Sequence, residues 1–568
     1  MLVLHARGDR HSRYSRYLVE LLRLEGFVDY VEADLAHVRA TTLAEHELVL
    51  LPRVATTLAQ AELLAEYVRD GGRLIAFQPD TGLARHFGLR PTHRGIAAGY
   101  LHIATRHPEV AGLFAGPVQI VVPAVGWTPM EGVAPTTLAE VRTKRPQFTA
   151  DRIPGVVLAR LGQGEAILWS YDLPHAIARL RQGDPDRADL CLAGLDGIYR
   201  PGELFLGQLD PECESVPQAD VQTALLARAI EFLAPRPRLW YYPEATQRGA
   251  LVMTSDDDWS TVEQFEQLVK GLRERGATAT FFVVPDTRLP ESLIRKWEEE
   301  GHSFSVHPAL PADYRKPPPP SEVQAVALPA MLHDNIIRHQ RSYGRPVRTI
   351  RNHCVRWLGY VEAARLLASE GVRMDCNFLG SCLPAGLNYL CGSGRPLRFV
   401  DTDGAVIDCF QQPTSWTEEC LINPSMIFSM KWPDHQAILE TTRLLRRAAS
   451  EFYTPITINS HPVSYATYTR DLIEANWDAA RRAGLPILSA DRWLAWTEAR
   501  DRLRLHRRDR GYILSATQAL ATATILFPPG TTPHAERAEV SLQELWGREY
   551  VALTLREIAA GETRAIAV

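Results

Sequence analysis

Three consecutive acids, Asp256, Asp257 and Asp258, stand where the apolar run Leu251-Val252-Met253 gives way to a helix-forming stretch. Three further apolar runs end in groups that titrate or bind metals. The run 303–306 precedes His307, 347–350 precedes Arg351 and His353, and 455–459 precedes Ser460 and His461. A carboxylate cluster between a buried strand and a helix is where α/β proteins place metals and catalytic bases. Acids at a helix start also favour the helix dipole, and a single histidine is commonly a packing residue. Three histidines repeating the same position after a strand point instead to one shared site, because the C-terminal ends of parallel strands converge on one face.

The elements that must position these groups are legible as alternating patterns. After the acids, Ser260 reads as an N-cap with Glu263 completing a capping box. Val262, Phe265, Leu268, Val269 and Leu272 keep one helical face apolar, and Gly276 closes the helix. From about 247 to 500 this strand–helix alternation repeats about seven times, which predicts an α/β fold with a deformed (β/α) barrel of about seven strands. Strand runs at 2–4, 28–32, 47–51 and 74–77 alternate with helices at 14–24 and 58–69, so a second, N-terminal α/β domain precedes it. The expected boundaries are 1–235, 236–500 and 501–568. Pro235 to Pro243 reads as a linker, and the short β-prone runs at the end read as a small β-sandwich.

The stretch "LVLLPRVATTLAQAELLAEYVRDGGRLIAF" resembles the class I glutamine amidotransferase-like, flavodoxin-like fold. Catalytic members of that family carry a cysteine in the turn after a strand such as 74–77; here the turn is Gln78-Pro79-Asp80, and the first cysteine of the chain is Cys191. The resemblance implies a domain silent for amide transfer, an accessory or assembly module through which a homo-oligomer could form.

In the middle domain, the order "TSDDD", "GHSFSVHP", "IRNH", "RMDCN" and "INSHP" resembles the polysaccharide deacetylases of the NodB-type carbohydrate esterase superfamily. The resemblance implies Asp256 as general base, Asp257 and His307 as metal ligands, Arg351 as the residue orienting the base, His461 as the catalytic acid and Asp375 as the acid that tunes it. His302 matches a structural histidine. Two positions depart from the pattern: Pro311 stands where the family supplies a second histidine ligand, and Asp258 replaces a glycine. His353 lies two residues beyond Arg351, and on an extended chain both side chains point the same way. If Arg351 reaches Asp256, His353 reaches the metal, giving an expected triad Asp257–His307–His353. Carboxylate with imidazole suits zinc, with iron, cobalt or nickel as alternatives.

The implied activity is metal-dependent hydrolysis of a carbon–nitrogen amide bond, on a carbohydrate or another amide substrate, with carbohydrate de-N-acetylation foremost. The alternative is a catalytically altered, carbohydrate-binding pseudo-enzyme. Glycosidic hydrolysis by paired carboxylates fits poorly with three strand-end histidines.

The 568-residue chain is 46% hydrophobic and 23% charged with a net charge of −5, an ordinary globular composition that gives no reason to expect nucleic acid. No run of about 20 apolar residues exists, so no membrane span is expected. The N-terminal apolar run reads as a first strand, and a cytoplasmic location is the expectation. The eight cysteines form no Cys-x-x-Cys pair, which predicts buried free thiols.

Overall fold

The computed structural model describes residues 1–6, 13–143, 152–188, 190, 198–310, 321–380, 389, 391–426 and 429–568, with no side-chain description for 321–324. Pro311 lies outside the described residues. The protein is mixed α/β.

The acidic turn belongs to a ten-stranded, curled half-barrel sheet. Its strands run in the order Leu397–Val400, Val406–Gln411, Met374–Asp375, Thr349–Ile350, Ser303–Val306, Thr280–Val283, Leu251–Asp256, Ile456–Ser460, Trp416–Thr417. Ile487–Ser489 pairs with the first half of Leu251–Asp256. Of the expected deformed barrel of about seven strands, the structure shows this curled half-barrel. All its pairings are parallel except that of Leu397–Val400. Parallel strands covered on both faces read as continuous apolar runs, and Leu251, Val252 and Met253 are fully buried. Each such side chain contributes roughly 1.5–3 kcal/mol relative to exposure.

The helix after the acids, Val262–Arg273, is capped one residue later than the sequence suggests. Thr261 Oγ1 accepts from the Gln264 backbone amide, and Gln264 Oε1 accepts from the Thr261 backbone amide. Ser260 is instead held in the turn, its hydroxyl donating to the Asp257 carbonyl.

The N-terminal sheet has nine strands. Val31–Asp34, Leu2–His5, Leu48–Leu51, Arg73–Phe77 and Gly164–Trp169 are parallel in that spatial order. Four antiparallel strands then extend it: Arg152–Leu161, Thr136–Arg142, Gly99–Ile103 and Val118–Ile120. A purely doubly wound sheet does not account for that second half. From this sheet the helix Leu173–Gln182 docks on the edge of the half-barrel. Arg181 donates to the Gln411 carbonyl at 3.1 Å, and Gln182 exchanges two bonds with Val400.

The supposed linker is structured. Arg238–Leu239 is a strand that pairs with Leu520–Phe527 in a four-stranded C-terminal sheet. That sheet and the three-stranded one formed by Arg504–Arg508, Gly511–Ser515 and Thr563–Ala567 share one apolar core. Arg238 is buried between Glu25 and Glu231, so N-terminal acids fix the strand that carries the chain onward. Among the described cysteines Cys213, Cys354, Cys376, Cys391, Cys409 and Cys420 are free thiols. No described helix is long and apolar enough to cross a membrane.

Candidate active site

Asp256 ends its strand. Parallel registry brings the ends of Thr280–Val283, Ser303–Val306, Thr349–Ile350 and Ile456–Ser460 to the same level. His307, Arg351 and His461 each follow one of these strands directly, so their side chains meet around a cavity of about 300 Å³.

Asp256 is fixed from two sides. Arg351 Nη1 donates to Oδ1 at 3.1 Å and Asn459 Nδ2 donates to Oδ2 at 2.9 Å. Arg351 is itself buried and held by hydrogen bonds. Its guanidinium also donates to Thr254 Oγ1, Asn459 Oδ1, Thr414 Oγ1 and the Cys376 carbonyl. This buried cation sits beside Asp256 with its donors taken by polar partners and its face over the Phe282 ring at 5.2 Å.

Asp257 faces the other way. Its carboxylate accepts from the Ser260 amide at 3.2 Å and the Val284 amide at 3.3 Å. It is fully buried, and burial pushes its pKa up to about 6. It is not among the residues lining the cavity. Asp258, not Asp257, faces His307 and lines the cavity, as Asp256 does. The backbone then turns sharply, with Asp258 at φ +42° and Trp259 at φ +57°. Aspartate tolerates the left-handed region better than most residues.

Asp258 Oδ1 lies 3.3 Å from His307 Nε2 and 4.0 Å from His353 Nε2; Oδ2 lies 3.7 Å from His461 Nε2. The His307 and His353 rings meet edge to face at 5.5 Å, and Trp259 backs His353 at 5.3 Å. Burial alone would raise the Asp258 pKa, but the field of His461, with His307 and His353, holds it well below the usual carboxylate range.

The His307 tautomer decides what this cluster can bind. Nδ1 lies 2.7 Å from the Arg351 carbonyl, which can only accept. Nδ1 therefore carries the proton, and in the neutral ring Nε2 presents a lone pair. That lone pair faces Asp258 Oδ1, a buried oxygen that meets no hydrogen-bond donor in bonding geometry among the described residues. Either a second proton on the ring, donated to Asp258, or a metal cation between the two atoms satisfies this pair. A metal site with a backbone carbonyl orienting the histidine fits this donor set.

His461 is held differently. Its backbone amide and Nδ1 both donate to Glu418 Oε1, at 2.7 and 2.9 Å. Burial opposes charge on the ring, yet Glu419, Glu418 and Asp258 raise its pKa well above the ordinary histidine value. Glu418, fully buried, is pushed up by burial. Nε2 lies between Asp258 Oδ2, 3.7 Å away, and Asp256 Oδ2, 3.9 Å away. Glu418, Glu419 and His461 also carry ligating atoms within 4.8 Å of one another. There, however, the acids already accept from His461, Thr417, Ser464 and Tyr468. That trio is a closed hydrogen-bonded ion pair, unlike the facing pair at Asp258 and His307.

Asp375 does not contact His461. Its carboxylate accepts from the backbone and side chain of Asn377, and burial lifts its pKa to about 7. The acid on His461 is Glu418, which follows the two-residue strand Trp416–Thr417. His302 is buried in the core, its Nδ1 accepting from the Ala279 amide. Val355, Leu379, Cys420 and Met426 form an apolar wall of the same cavity.

No protein-family model matches the chain, and no curated protein matches it by sequence. Solved structures do. Agd3, described as a novel carbohydrate deacetylase, aligns over 100% of this chain and 98% of its own at 11% identity, with a TM-score of 0.43. A protein of Mycobacterium smegmatis assigned as a polysaccharide deacetylase aligns over 48% of this chain and 96% of its own at 15% identity and TM-score 0.35. A third, from Bordetella bronchiseptica, assigned as a polysaccharide deacetylase involved in O-antigen biosynthesis, covers 41% of this chain and 84% of its own at 16% identity and TM-score 0.24. Shorter stretches align with glycosidases, including a β-galactosidase from Bacillus circulans. At these scores the likenesses carry no argument about function.

Proposed function

We propose that this chain is a metal-dependent hydrolase of a carbon–nitrogen amide bond, with an N-acetylated sugar as its substrate class. The observation that carries the reading is His307 Nε2 set 3.3 Å from Asp258 Oδ1, with His353 alongside, beside an Arg351-anchored Asp256 and a Glu418-backed His461. Asp258, His307 and His353 would hold a divalent cation, zinc first, which when bound polarises a carbonyl and lowers the pKa of water. Three protein ligands with open positions are the usual catalytic arrangement.

The chain's own groups divide the proton traffic. Asp256 accepts a proton from the attacking water as the new carbon–oxygen bond forms. Arg351 and Asn459 hold its carboxylate so that one oxygen faces the cavity in a fixed orientation. His461, kept protonated by Glu418 and Glu419, directs Nε2–H into the cavity. It gives that proton to the departing nitrogen as the carbon–nitrogen bond breaks. The products are a carboxylate and an amine. The apolar wall of Val355, Leu379, Cys420 and Met426 suits the methyl of an acetyl group.

The N-terminal domain we read as an amidotransferase-type scaffold that has lost its nucleophile. Gln78 stands in a left-handed turn (φ +43°) at the end of Arg73–Phe77, and its amide donates to the Pro123 and Ser170 carbonyls.

Acetate release from a panel of N-acetylated saccharides tests the reading. Asp256→Asn keeps the shape and the metal ligands but cannot accept the proton, so turnover falls by roughly 10²–10⁴. A loss of less than about tenfold removes Asp256 from the mechanism. Saccharide binding with no acetate release by the wild type would replace hydrolase with binding protein.

A further inference from the structure

His353 sits on a turn that the local sequence does not favour. In the short segment His353–Val355, Cys354 has φ +58° and Val355 has φ +48°. A β-branched residue at positive φ is a genuine outlier and persists only where surrounding contacts enforce it. Two of those contacts are local, Val355 amide to the Asn352 carbonyl and the Asn352 side chain to the Arg356 carbonyl, and one comes from the neighbouring strand end, the His353 amide to the Pro308 carbonyl. Two come from a distant part of the chain. The Trp357 amide donates to the Tyr199 carbonyl at 3.0 Å, and Arg200 Nε donates to the Cys354 carbonyl at 3.1 Å.

Tyr199 and Arg200 lead into the buried helical turn Pro201–Phe205. Leu204 and Phe205 share an apolar cluster with Trp357 and Phe378, the Phe205 and Phe378 rings meeting edge to face. The segment is therefore anchored on both sides of the turn, and Arg200 also lines the cavity. A carbonyl gripped by a guanidinium cannot rotate, and the Cys354 peptide cannot leave the left-handed region without losing that bond.

We infer that Arg200 is a positioning residue for the metal: the N-terminal part of the chain clamps the strained turn and so aims His353 at Asp258. The inference rests on the metal-site reading above. It gives the N-terminal domain a task in the active site that needs no chemistry of its own.

The test uses the full-length chain. Arg200→Met keeps the aliphatic stem and removes the donor, whereas Arg200→Lys keeps a donor. Zinc affinity is measured by competition with a chromophoric chelator. Arg200→Met should bind about 10–100-fold more weakly, the usual effect of losing a residue that orients a ligand, and Arg200→Lys should recover most of the loss. Hydrogen exchange on the zinc-free wild type gives an independent reading. The amides of His353, Val355 and Trp357, which donate to Pro308, Asn352 and Tyr199, should already be protected, and Arg200→Met should expose them. Wild-type zinc affinity in Arg200→Met would overturn the inference. So would free exchange of these three amides in the zinc-free wild type, a result that decides the matter even if Arg200→Met does not fold. A wild type that binds no zinc would instead refute the metal-site reading, leaving the exchange data to decide the clamp.

Discussion

Replacing Glu418 by Gln separates charge from geometry at His461. The Gln oxygen can still accept from the His461 amide and Nδ1, which now lie 2.7 and 2.9 Å from Glu418 Oε1, but the negative charge is gone. A unit charge about 4 Å away is worth roughly 4 kcal/mol at an effective dielectric near 20, or about 3 pKa units. Glu419 at 3.9 Å and Asp258 at 3.7 Å remain, and burial limits how fully Glu418 ionises, so the expected fall is about one to three units. The sign follows from the charge. Without the anion the imidazolium is less favoured, His461 loses its proton at lower pH, and the alkaline limb of the pH–rate profile moves toward acid. The same shift should appear in an NMR titration of the His461 ring, which needs no turnover. An alkaline limb and a ring titration both unchanged within about 0.3 units, against the one to three expected from the Coulomb estimate, would show that Glu418 does not hold the proton on His461.

Asp375 offers a stability test away from the proposed ligands. Its folded pKa, about 7, lies above its unfolded value, so between about pH 4 and 7 the folded state keeps a proton that the unfolded state has lost. Stability therefore falls as pH rises through that window, by up to on the order of 4 kcal/mol. Asp375→Asn, neutral at every pH, should flatten that part of the curve in chemical denaturation; an unchanged slope would refute the assignment. Ammonia release from glutamine should be undetectable, because Gln78 occupies the turn where a nucleophile would stand; activity that survives repurification would contradict this.

The strand-end logic was readable because parallel sheets leave continuous apolar runs, and the residues after 303–306, 347–350 and 455–459 follow directly. The acids were harder to read: the strand ends at Asp256 and the chain enters the left-handed region at Asp258, so no strand period says which of the three faces the cavity. Backbone amides receive Asp257 instead. Glu418 was hidden for another reason: Trp416–Thr417 is only two residues long, too short to show any period, and it lies in a stretch that reads as irregular. Arg238–Leu239 is equally short and proline-flanked, so a strand of the C-terminal sheet reads as a linker. The antiparallel half of the N-terminal sheet carries no local mark of which strand it will extend. The Arg200 contact joins residues 154 apart in sequence, a distance over which no spacing rule operates.

Metal stoichiometry decides the central claim. Wild type, Asp258→Asn and Asp257→Asn are purified in parallel, mildly chelated and assayed for bound metal. Asparagine suits the left-handed turn at 258, so the first variant changes the ligand and leaves the backbone in place. The wild type and Asp257→Asn should hold about one equivalent, as a site of three protein ligands does, and Asp258→Asn should lose it. Metal retained by Asp258→Asn and lost from Asp257→Asn would contradict the account, because it would mean that the carboxylate facing His307 is not the one that binds.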